Sequence, residues 1–521
     1  MIVAIDIGTS SSKGCGFDSK TLRPITPWVR STGTKNEVEN KPNEYSSCPL
    51  KWMDACVEIL NAVAEEAERT PSRPKPVLVA LSGMMQNVIL PLETENSCVL
   101  YSDASFAKAA HESMVRDCSE AVDAVKRATG NYKDAASIVA KLVQFNLNDR
   151  VKKDSRRVLF GAHSYVAWRL MGGPTDDASP VWLCDATTAS TTGLVDRQTG
   201  EWIDQHLRRR LTIDNFALPT LLPDTGNVVG VISSSSAKAL NTVFDGVSLV
   251  HGAGDLGSLI CAVDTFKADT HAYLGTSGWI ARVVPRNAVV LGEANQLPVF
   301  RLAHPTMPAL KVIEAMPTTG AGLNIAKWTS TLFGASDPAI LDQHAARAMS
   351  SNSPSQSVLY LPYLRGERAP VSMGDATACF LGMTTETTKE DLALAVLTGV
   401  AYQFRWLSES LQLKSEELVL LGGGSRSRVW RQIMADVLNK RIKSLEDEEF
   451  DETVFGAASV GLRALEGEQV CSEIGLNWSV TMPSSDDAVR RRHDTNFVVW
   501  KRAALLLKDL YSATPSNLMP T

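Results

Sequence analysis

The chain has 521 residues, more than one hydrophobic core of ordinary size, so roughly two to four domains are expected. Its 44% hydrophobic and 21% charged residues are typical of globular proteins, and a net charge of -6 argues against a nucleic-acid partner or an anionic membrane surface. The sequence has no basic-then-apolar leader and no apolar run of about 18 residues, so we expect a cytoplasmic protein without membrane spans. Its nine cysteines contain no Cys-x-x-Cys pair, so we expect neither a disulfide framework nor structural zinc.

The first ten residues are an apolar, β-branched run that carries one acid and ends in a turn of small residues. The run predicts a buried strand, and Gly8 permits a tight turn whose amides and hydroxyls converge on an anion. Asp6 at the strand end suits a hard cation such as Mg²⁺ beside phosphates, and Lys13 adds a positive charge. An ordinary strand and turn would have the same pattern. A P-loop or dinucleotide fold is disfavoured, because Lys13 precedes Gly14 and no Gly-x-Gly-x-x-Gly follows.

Strands and helices alternate along the remaining chain, which predicts α/β layers. Apolar spacing predicts helices at Lys51–Arg69 and Leu392–Leu411 and short buried strands at Val77–Leu81 and Val247–Val250.

A strand followed by a glycine turn occurs in both halves of the chain. Residues 272–278 (Ala-Tyr-Leu-Gly-Thr-Ser-Gly) repeat the pattern of residues 5–10, which suggests two related domains that face one ligand. The predicted domains are residues 1–265 and residues 266–521, the second with a helical tail from about residue 466.

Residues 249–255 are predicted to form the end of another strand and a glycine-rich bend that leads to one acid, Asp255. Phosphoryl transfer to an alcohol needs an acceptor for the hydroxyl proton, and Asp255 is the candidate. An Asp that closes a turn by bonding local amides is an equal alternative. We interpret His251 as a structural polar residue.

Three consecutive glycines, Gly422–Gly424, follow the apolar run Leu418–Leu421 and precede a predicted helix at Val429–Leu438. Backbone without side chains lets a flat nucleoside approach closely, although one of these glycines would suffice for a plain strand-to-helix turn. Gly320–Asn324 shows the same pattern more weakly.

The most specific segment is Tyr360–Pro370, which resembles the Leu-Pro-Tyr-Leu-x-Gly-Glu-Arg-x-Pro sequence of the FGGY carbohydrate kinases. Residues 382–384, 399–401 and 422–436 fit the same family, and the resemblance covers residue 1 to about residue 465. It implies an α/β fold of two actin/Hsp70-like (ribonuclease H-like) ATPase domains that face a central cleft.

The resemblance also implies ATP and Mg²⁺ as cofactors and transfer of the γ-phosphate to a hydroxyl of a small sugar. Asp6 then matches the acid near magnesium, and Asp255 matches the catalytic Asp, which also contacts the sugar. The residues implied to hold the nucleotide are Thr9, Ser10 and Lys13 in a first phosphate loop, Gly275 and Thr276 in a second, and Gly320, Asn324, Gly423 and Gly424 near the phosphates and adenosine.

The sugar-binding segments depart from the most similar subgroup, the xylulose kinases, and from the gluconate kinases. Residues 83–87 read Gly-Met-Met-Gln-Asn, so Gln86 replaces a sugar-side His beside Met85. Asp103 is kept, but the Trp and Arg usual around it are absent, and Leu256 stands where an Asn is usual. Polar groups of this kind discriminate strongly between similar sugars. A ketopentose such as xylulose is expected; gluconate, ribulose, a heptulose or a polyol are alternatives.

A regulatory or chaperone-like ATPase with a decayed sugar site is the rival hypothesis. The altered residues 84–87 and 101–105 favour it, whereas Asp255 and the Gly-Glu-Arg of residues 366–368 favour a kinase. The expected partner is a small sugar, with no nucleic acid and no membrane, and the sequence leaves a homodimer open.

Overall fold

The computed structural model of the protein describes residues 1–9, 11–32, 49–90, 97–100, 103, 106–131, 135, 137–147, 156–173, 182–233, 239–265, 268–288, 299–350, 358–374, 376–446, 450–467 and 476–513. The helices in this part of the chain are α1 Pro49–Arg69, α2 Lys108–Asp117, α3 Ser119–Thr129, α4 Ile138–Leu147, α5 Ala162–Leu170, α6 Ala186–Thr191, α7 Gln205–Arg210, α8 Asp255–Thr265, α9 Gly322–Phe333, α10 Pro338–Ser350, α11 Lys389–Ser410, α12 Arg428–Leu438, α13 Glu452–Glu466 and α14 Asp487–Ala513. The strands are β1 Ile2–Ile7, β2 Ser12–Phe17, β3 Val29–Ser31, β4 Leu78–Gly83, β5 Val88–Leu90, β6 Ser97–Val99, β7 Arg156–Arg157, β8 Leu183–Cys184, β9 Phe216–Ala217, β10 Thr220–Leu221, β11 Val228–Val231, β12 Ser248–Val250, β13 Thr270–Leu274, β14 Gly278–Pro285, β15 Phe300–Ala303, β16 Lys311–Thr318, β17 Leu359–Leu361, β18 Cys379–Leu381, β19 Glu417–Leu421, β20 Arg441–Leu445 and β21 Trp478–Thr481.

Two large mixed sheets organise these elements. The first sheet has the order β11-β12-β4-β1-β2-β3, and the second has the order β15-β16-β14-β13-β19-β20-β21. Each contains an antiparallel hairpin, β1–β2 or β13–β14, whose first strand also pairs in parallel with a later strand, β4 or β19. The predicted α/β class and the repeated strand-and-turn pattern are therefore confirmed. We call the first sheet, together with the other elements up to α8, the first domain, and the second sheet, together with the other elements from β13 onward, the second domain.

Strand β1 is buried on both faces. Val3 and Ile5 pack with α1 in one core, whereas Ile2 and Ala4 pack with α8 and α13 in another. Because successive side chains of a strand point to opposite faces, Asp6 points to the same side as Ile2 and Ala4. The alternation that buries the strand thus directs its single acid toward α8 and α13.

Helix α13 comes from the C-terminal half of the chain but packs on the first sheet beside α8. The two helices approach closely at Gly456, where an added Cβ would lie 1.8 Å from the carbonyl oxygen of Ser258. The chain therefore returns to the first sheet after it has built much of the second. The division between residues 265 and 266 stays a prediction.

Most predicted elements occur with small shifts of their ends. Helix α11 begins at Lys389 instead of Leu392, because Thr388 and Asp391 form a capping box. Helix α12 begins at Arg428 after the cap Ser427, whose hydroxyl accepts a hydrogen bond from the backbone N–H of Trp430.

The expectations on cysteines and membrane spans can be compared with the described residues alone. All seven cysteines among them are free thiols, with Cys261 buried and Cys379 half-buried. Within the same residues, no helix has the length and apolar character needed to cross a bilayer.

Candidate active site

The first candidate phosphate loop is the turn between β1 and β2. Gly8 and Thr9 lie in it, partly exposed, and the Thr9 hydroxyl lies 3.9 Å from the sulfur of Met84. Ser10, predicted to contact phosphate, lies outside the described residues. The turn after β1 therefore lies against the segment that follows β4.

Asp6 is buried at the end of β1. The Ser82 hydroxyl donates a hydrogen bond of 3.0 Å to its carboxylate. Burial and, to a smaller extent, the nearby Asp451 and Asp255 carboxylates raise the pKa of Asp6 to about 7, against the opposing effects of Lys13 and the Ser82 hydrogen bond. The carboxylate is thus buried near two other acids and one cation, Lys13.

Lys13 lies directly opposite Asp6 in the β1–β2 ladder, so the two side chains share a face. Its ammonium group pairs with Asp451, the residue before α13, which also caps that helix through Thr453 and Val454. Burial lowers the pKa of Lys13, but the pairing with Asp451 outweighs this and the net shift is upward. The first phosphate loop is therefore tied to a residue more than 400 positions away in the chain.

Glu452 extends the acidic cluster. Burial raises its pKa to about 7, with Asp451 adding to the shift, and its carboxylate accepts a hydrogen bond of 3.3 Å from the backbone N–H of Gly422. Neither Asp451 nor Glu452 was recognised from the sequence, where they end an ordinary run of acidic residues. Asp6, Asp255, Asp451 and Glu452 all act electrostatically on Tyr273, and we call these four acids the acidic cluster. Carboxylate oxygens are the ligand type that Mg²⁺ prefers.

Asp255 is the first residue of α8. The backbone N–H of Leu256 donates a hydrogen bond of 2.8 Å to its carboxylate. Burial raises the pKa of Asp255 to about 6, and the Leu256 hydrogen bond and His163 partly oppose this shift. The preceding Gly252 has a positive φ of 68°, and a Cβ there would lie 1.8 Å from the carbonyl oxygen of Leu81. The bend therefore requires glycine because it passes against β4.

A buried hydrogen-bond network lies next to this bend. His163 Nε2 is 2.9 Å from the Asp185 carboxylate, and the Ser164 hydroxyl is 3.0 Å from His251 Nε2. The two imidazole rings are 4.8 Å apart. Asp185 also caps α6, accepting a hydrogen bond of 2.9 Å from the backbone N–H of Thr188.

The partners assign the protons in this network. Asp185 is an acceptor, so His163 carries a proton on Nε2; His251 donates from Nδ1 to the carbonyl of Gly252, 3.1 Å away, so its Nε2 accepts from Ser164. Burial lowers the pKa of His251 to about 4, which keeps it neutral. His251 thus supports the bend before Asp255, in line with its interpretation as a structural residue. The sequence analysis missed His163 and Ser164 because no motif contains them.

The predicted sugar-binding residues differ in their surroundings. Met85 and Gln86 are partly exposed between β4 and β5, and Met85 packs against Gly254 of the Asp255 bend. Asp103 is buried and accepts a hydrogen bond of 2.9 Å from the backbone N–H of Phe106. Residues 101, 102, 104 and 105 lie outside the described residues.

The second candidate phosphate loop joins β13 to β14. The carbonyls of Gly275 and Thr276 accept hydrogen bonds of 2.8 and 3.0 Å from the amides of Gly322 and Leu323 at the start of α9. Burial raises the pKa of Tyr273 on β13, and the carboxylates of the acidic cluster add to the shift. The end of β13 therefore lies near the end of β1, with one hairpin turn from each sheet beside the same acids.

Asn324 is engaged within the protein. Its amide donates 2.8 and 3.1 Å hydrogen bonds to the carbonyls of Gly320 and Pro362, and its oxygen accepts one of 2.6 Å from the Tyr360 hydroxyl. Gly320 is held close by this arrangement, since a Cβ there would lie 2.6 Å from the Asn324 amide nitrogen. These contacts give Asn324 a bracing function in the turn before α9.

Glu367 of the most specific sequence segment braces the same region. Its buried carboxylate accepts hydrogen bonds from the Thr318 hydroxyl at 2.5 Å and the Thr319 amide at 3.1 Å. Burial raises the pKa of Glu367 to about 7. Since Thr318 ends β16 just before the turn into α9, the segment supports the backbone that contacts Gly275 and Thr276.

The Gly422–Gly424 turn lies beside the second phosphate loop. A Cβ on Gly422 would lie 2.9 Å from the carbonyl oxygen of Leu274, and one on Gly424 would meet Trp430. No described atom lies within 4 Å of the position that a Cβ on Gly423 would take. The turn thus leaves an open backbone surface of the kind expected beside a flat nucleoside.

Two α/β domains that bring matching hairpin turns together at one cleft define the actin/Hsp70-like class of ATPase fold. Within that class, the chain belongs to the FGGY family of carbohydrate kinases. The family's N-terminal domain matches residues 1–260 and its C-terminal domain matches residues 320–465. The resemblance noted in the sequence is therefore confirmed.

Individual relatives share modest sequence identity with this chain. A xylulose kinase from Staphylococcus epidermidis is 30% identical over 53% of this chain and 52% of its own length, so the match spans about half of that relative. A gluconokinase from Bacillus subtilis is 22% identical over 98% of this chain and 97% of its own. The crystal structure of ligand-bound xylulose kinase from Lactobacillus acidophilus superposes with a TM-score of 0.79 at 21% identity, covering 98% of this chain and 99% of that one.

Proposed function

We propose that this protein is an ATP-dependent carbohydrate kinase that transfers the γ-phosphate to a hydroxyl of a small sugar. The observation that carries the proposal is the placement of Asp255 at the start of α8, near Asp6 of the first hairpin, with a pKa raised to about 6. Such a carboxylate is ionised at neutral pH yet basic enough to accept a hydroxyl proton. Membership of the family supports the same activity.

In the proposed mechanism the two hairpin turns bind the phosphates through backbone amides and hydroxyls, and Gly423 lies beside the nucleoside. Lys13 exchanges its partner Asp451 for phosphate oxygens. Asp255 takes the proton of the attacking hydroxyl. Closure of the cleft excludes water, which would otherwise compete with the sugar as acceptor.

The residues around Asp6 fit a bound Mg²⁺. Two carboxylates, Asp451 and Asp255, act on the buried Asp6 carboxylate against one opposing cation, Lys13. Asp6 is the proposed ligand, with the other carboxylates close enough to act on it. When bound, Mg²⁺ supplies charge neutralisation at the phosphates.

A neutral ketose is the preferred acceptor, xylulose first. Xylulose kinases among the similar proteins support this order of preference. Gluconate stays the main alternative because two gluconokinases are similar over most of the chain. Cytoplasmic location and a homodimer stay predictions.

The test is ADP release with ATP and Mg²⁺ across xylulose, ribulose, a heptulose, polyols and gluconate, beside a no-sugar control. Strong stimulation by one compound identifies the acceptor. Asp255→Asn should lower that rate about 100-fold or more while ATP binding survives. Asp245→Asn, an exposed site in the same domain, is the matched control and should leave it unchanged. Near-normal turnover in Asp255→Asn would refute the catalytic assignment, and a flat panel with intact ATP binding would favour the regulatory ATPase.

A further inference from the structure

A cavity of about 540 Å³ lies between the two domains, and its lining includes none of the residues placed above in the nucleotide or sugar sites. One wall comes from the first domain, through α6 and the turn at residues 195–200; the other comes from β15, the start of β16 and Arg286. The walls are joined by hydrogen bonds, 2.9 Å from the Thr187 hydroxyl to the carbonyl of Ala303 and 3.0 Å from the Ala303 amide to the Ser190 hydroxyl. The cavity is therefore a defined feature of the domain interface.

Three arginines from both domains line this cavity: Arg197, Arg286 and Arg301. The lining contains one acid, Asp196. Its carboxylate already accepts hydrogen bonds of 2.8 and 3.1 Å from the amides of the next turn, at Gln198 and Thr199. The lining thus carries three positive charges and one negative charge.

Two of the arginines have partners within the protein. Arg286 reaches from the second domain to carbonyls on both walls, including Pro308 at 2.8 Å and Gln198 at 3.3 Å. Arg301 donates from Nε to Glu314 at 3.0 Å, but Glu314 also binds Arg282. These contacts hold the two guanidinium groups in place while leaving a net positive charge.

Arg197 differs from the other two. Among the described residues its side chain makes no hydrogen bond or ion pair, although it is partly buried. Burial lowers the pKa of Arg197, and repulsion by the neighbouring Arg301 lowers it further, against the opposing effect of Asp196. An anion between them would relieve that repulsion, and a guanidinium fork suits phosphate oxygens.

We infer that this interdomain cavity binds a small phosphorylated compound, a phosphate monoester whose phosphate contacts Arg197. The lining's excess of two positive charges matches a phosphate monoester, which carries about -1.5 to -2 at neutral pH. Apolar residues such as Leu221, Leu302 and Val312 complete the walls and suit a small carbon skeleton. Because both domains contribute, occupancy stabilises the present arrangement of the domains and couples this site to the cleft. The inference does not depend on the proposed kinase activity.

The test is calorimetric titration of the full chain, without ATP, with ribose 5-phosphate, inorganic phosphate and ribose. Arg197→Gln should weaken ribose 5-phosphate binding at least tenfold, with ATP affinity unchanged, and Arg197→Lys should give an intermediate value because it keeps the charge but loses the fork. Arg116→Gln, at an exposed arginine of the same domain, is the matched control. Competition by inorganic phosphate would assign recognition to the phosphate group itself and would support the inference.

The inference would be overturned by equal ribose 5-phosphate affinity in wild type and Arg197→Gln or by ribose binding as tight as that of ribose 5-phosphate. Displacement of ribose 5-phosphate by saturating ATP would overturn it as well, because it would place the compound in the catalytic cleft. Absence of any phosphate binding in wild type would also overturn it. Arg197 lies on a partly exposed turn, so these variants are expected to fold, which their thermal midpoints would check.

Discussion

The contact between α8 and α13 provides the sharpest test of how the fold positions Asp255. Gly456 of α13 lies against the backbone of Ser258, one turn after Asp255 on α8. An added Cβ would lie 1.8 Å from the Ser258 carbonyl oxygen and 2.6 Å from its carbonyl carbon. Backbone atoms cannot rotate away as a side-chain end can, so Gly456→Ala must separate the helices.

The size of this separation follows from the geometry. Ordinary contact begins near 3.4 Å, so the helices must part by about 1.6 Å at Ser258. Elsewhere in a helix, Gly→Ala stabilises by about 0.5–1 kcal/mol. Here we expect overpacking to reverse the sign, lowering the free energy of unfolding by about 1–3 kcal/mol. Since a displacement of about 1 Å at a catalytic group can cost about 100-fold, kcat should fall by that order.

The matched control is Gly461→Ala in the same helix. Its Cβ would meet side-chain atoms, Leu78 at 2.9 Å and Ile2 at 3.0 Å, which can shift by a few tenths of an ångström. We would measure thermal midpoint, kcat and ATP affinity for both variants. If Gly456→Ala keeps wild-type kcat and stability, or if Gly461→Ala is equally damaging, the proposed role of the helix contact is wrong.

Three further predictions concern pH, the Glu367 brace and the buried network. The pKa of Asp255 is raised to about 6, so its ionised, proton-accepting form is lost as the pH falls through 6. We therefore expect kcat/KM to drop about tenfold per pH unit below that value, and a flat profile of kcat/KM between pH 5 and 8 would contradict this. Glu367→Gln should lower the free energy of unfolding by about 1–3 kcal/mol and raise the KM for ATP, because the new amide group is a donor where Thr318 and Thr319 also donate. The exposed Glu386→Gln is the control, and equal KM values for the two variants would exclude the bracing role. Asp185→Asn keeps an oxygen for the cap of α6, and its amide can donate to His163 Nε2 once the imidazole proton moves to Nδ1. Asp185→Ala removes both partners, so Ala should destabilise by about 1–3 kcal/mol more than Asn in urea unfolding, and equal urea midpoints would contradict the pairing.

Local chemistry made much of the fold and part of the site predictable. The buried alternation of β1, the hairpin turn after it and the matching pattern at β13 are local, and they placed Asp6 and the two candidate phosphate loops near strand ends. The glycine-rich bend before Asp255 was also visible in the sequence. What it did not indicate was why Gly252 must be glycine, since the constraint is the close carbonyl of Leu81 on another strand.

For two other predicted site residues the structure shows protein partners that the sequence did not indicate, and their roles toward ligands stay predictions. Asn324 was expected beside the nucleotide, yet its amide braces Gly320, Pro362 and Tyr360. Asp103 was expected to face the sugar, which stays a prediction, and its carboxylate accepts a hydrogen bond from the amide of Phe106. These contacts depend on the packing of neighbouring loops, which no local sequence pattern indicates.

By itself the sequence determined the α/β class, the repeated strand-and-turn units and the acid at each key strand end, because these depend on alternation and turn chemistry within about ten residues. Only the tertiary structure brought Lys13 to Asp451, His163 to Asp185 and Arg197 to Arg301. Those pairs join residues tens to hundreds of positions apart, so their proximity, and the charge environment it creates, depends on how the sheets and helices pack and not on any local pattern.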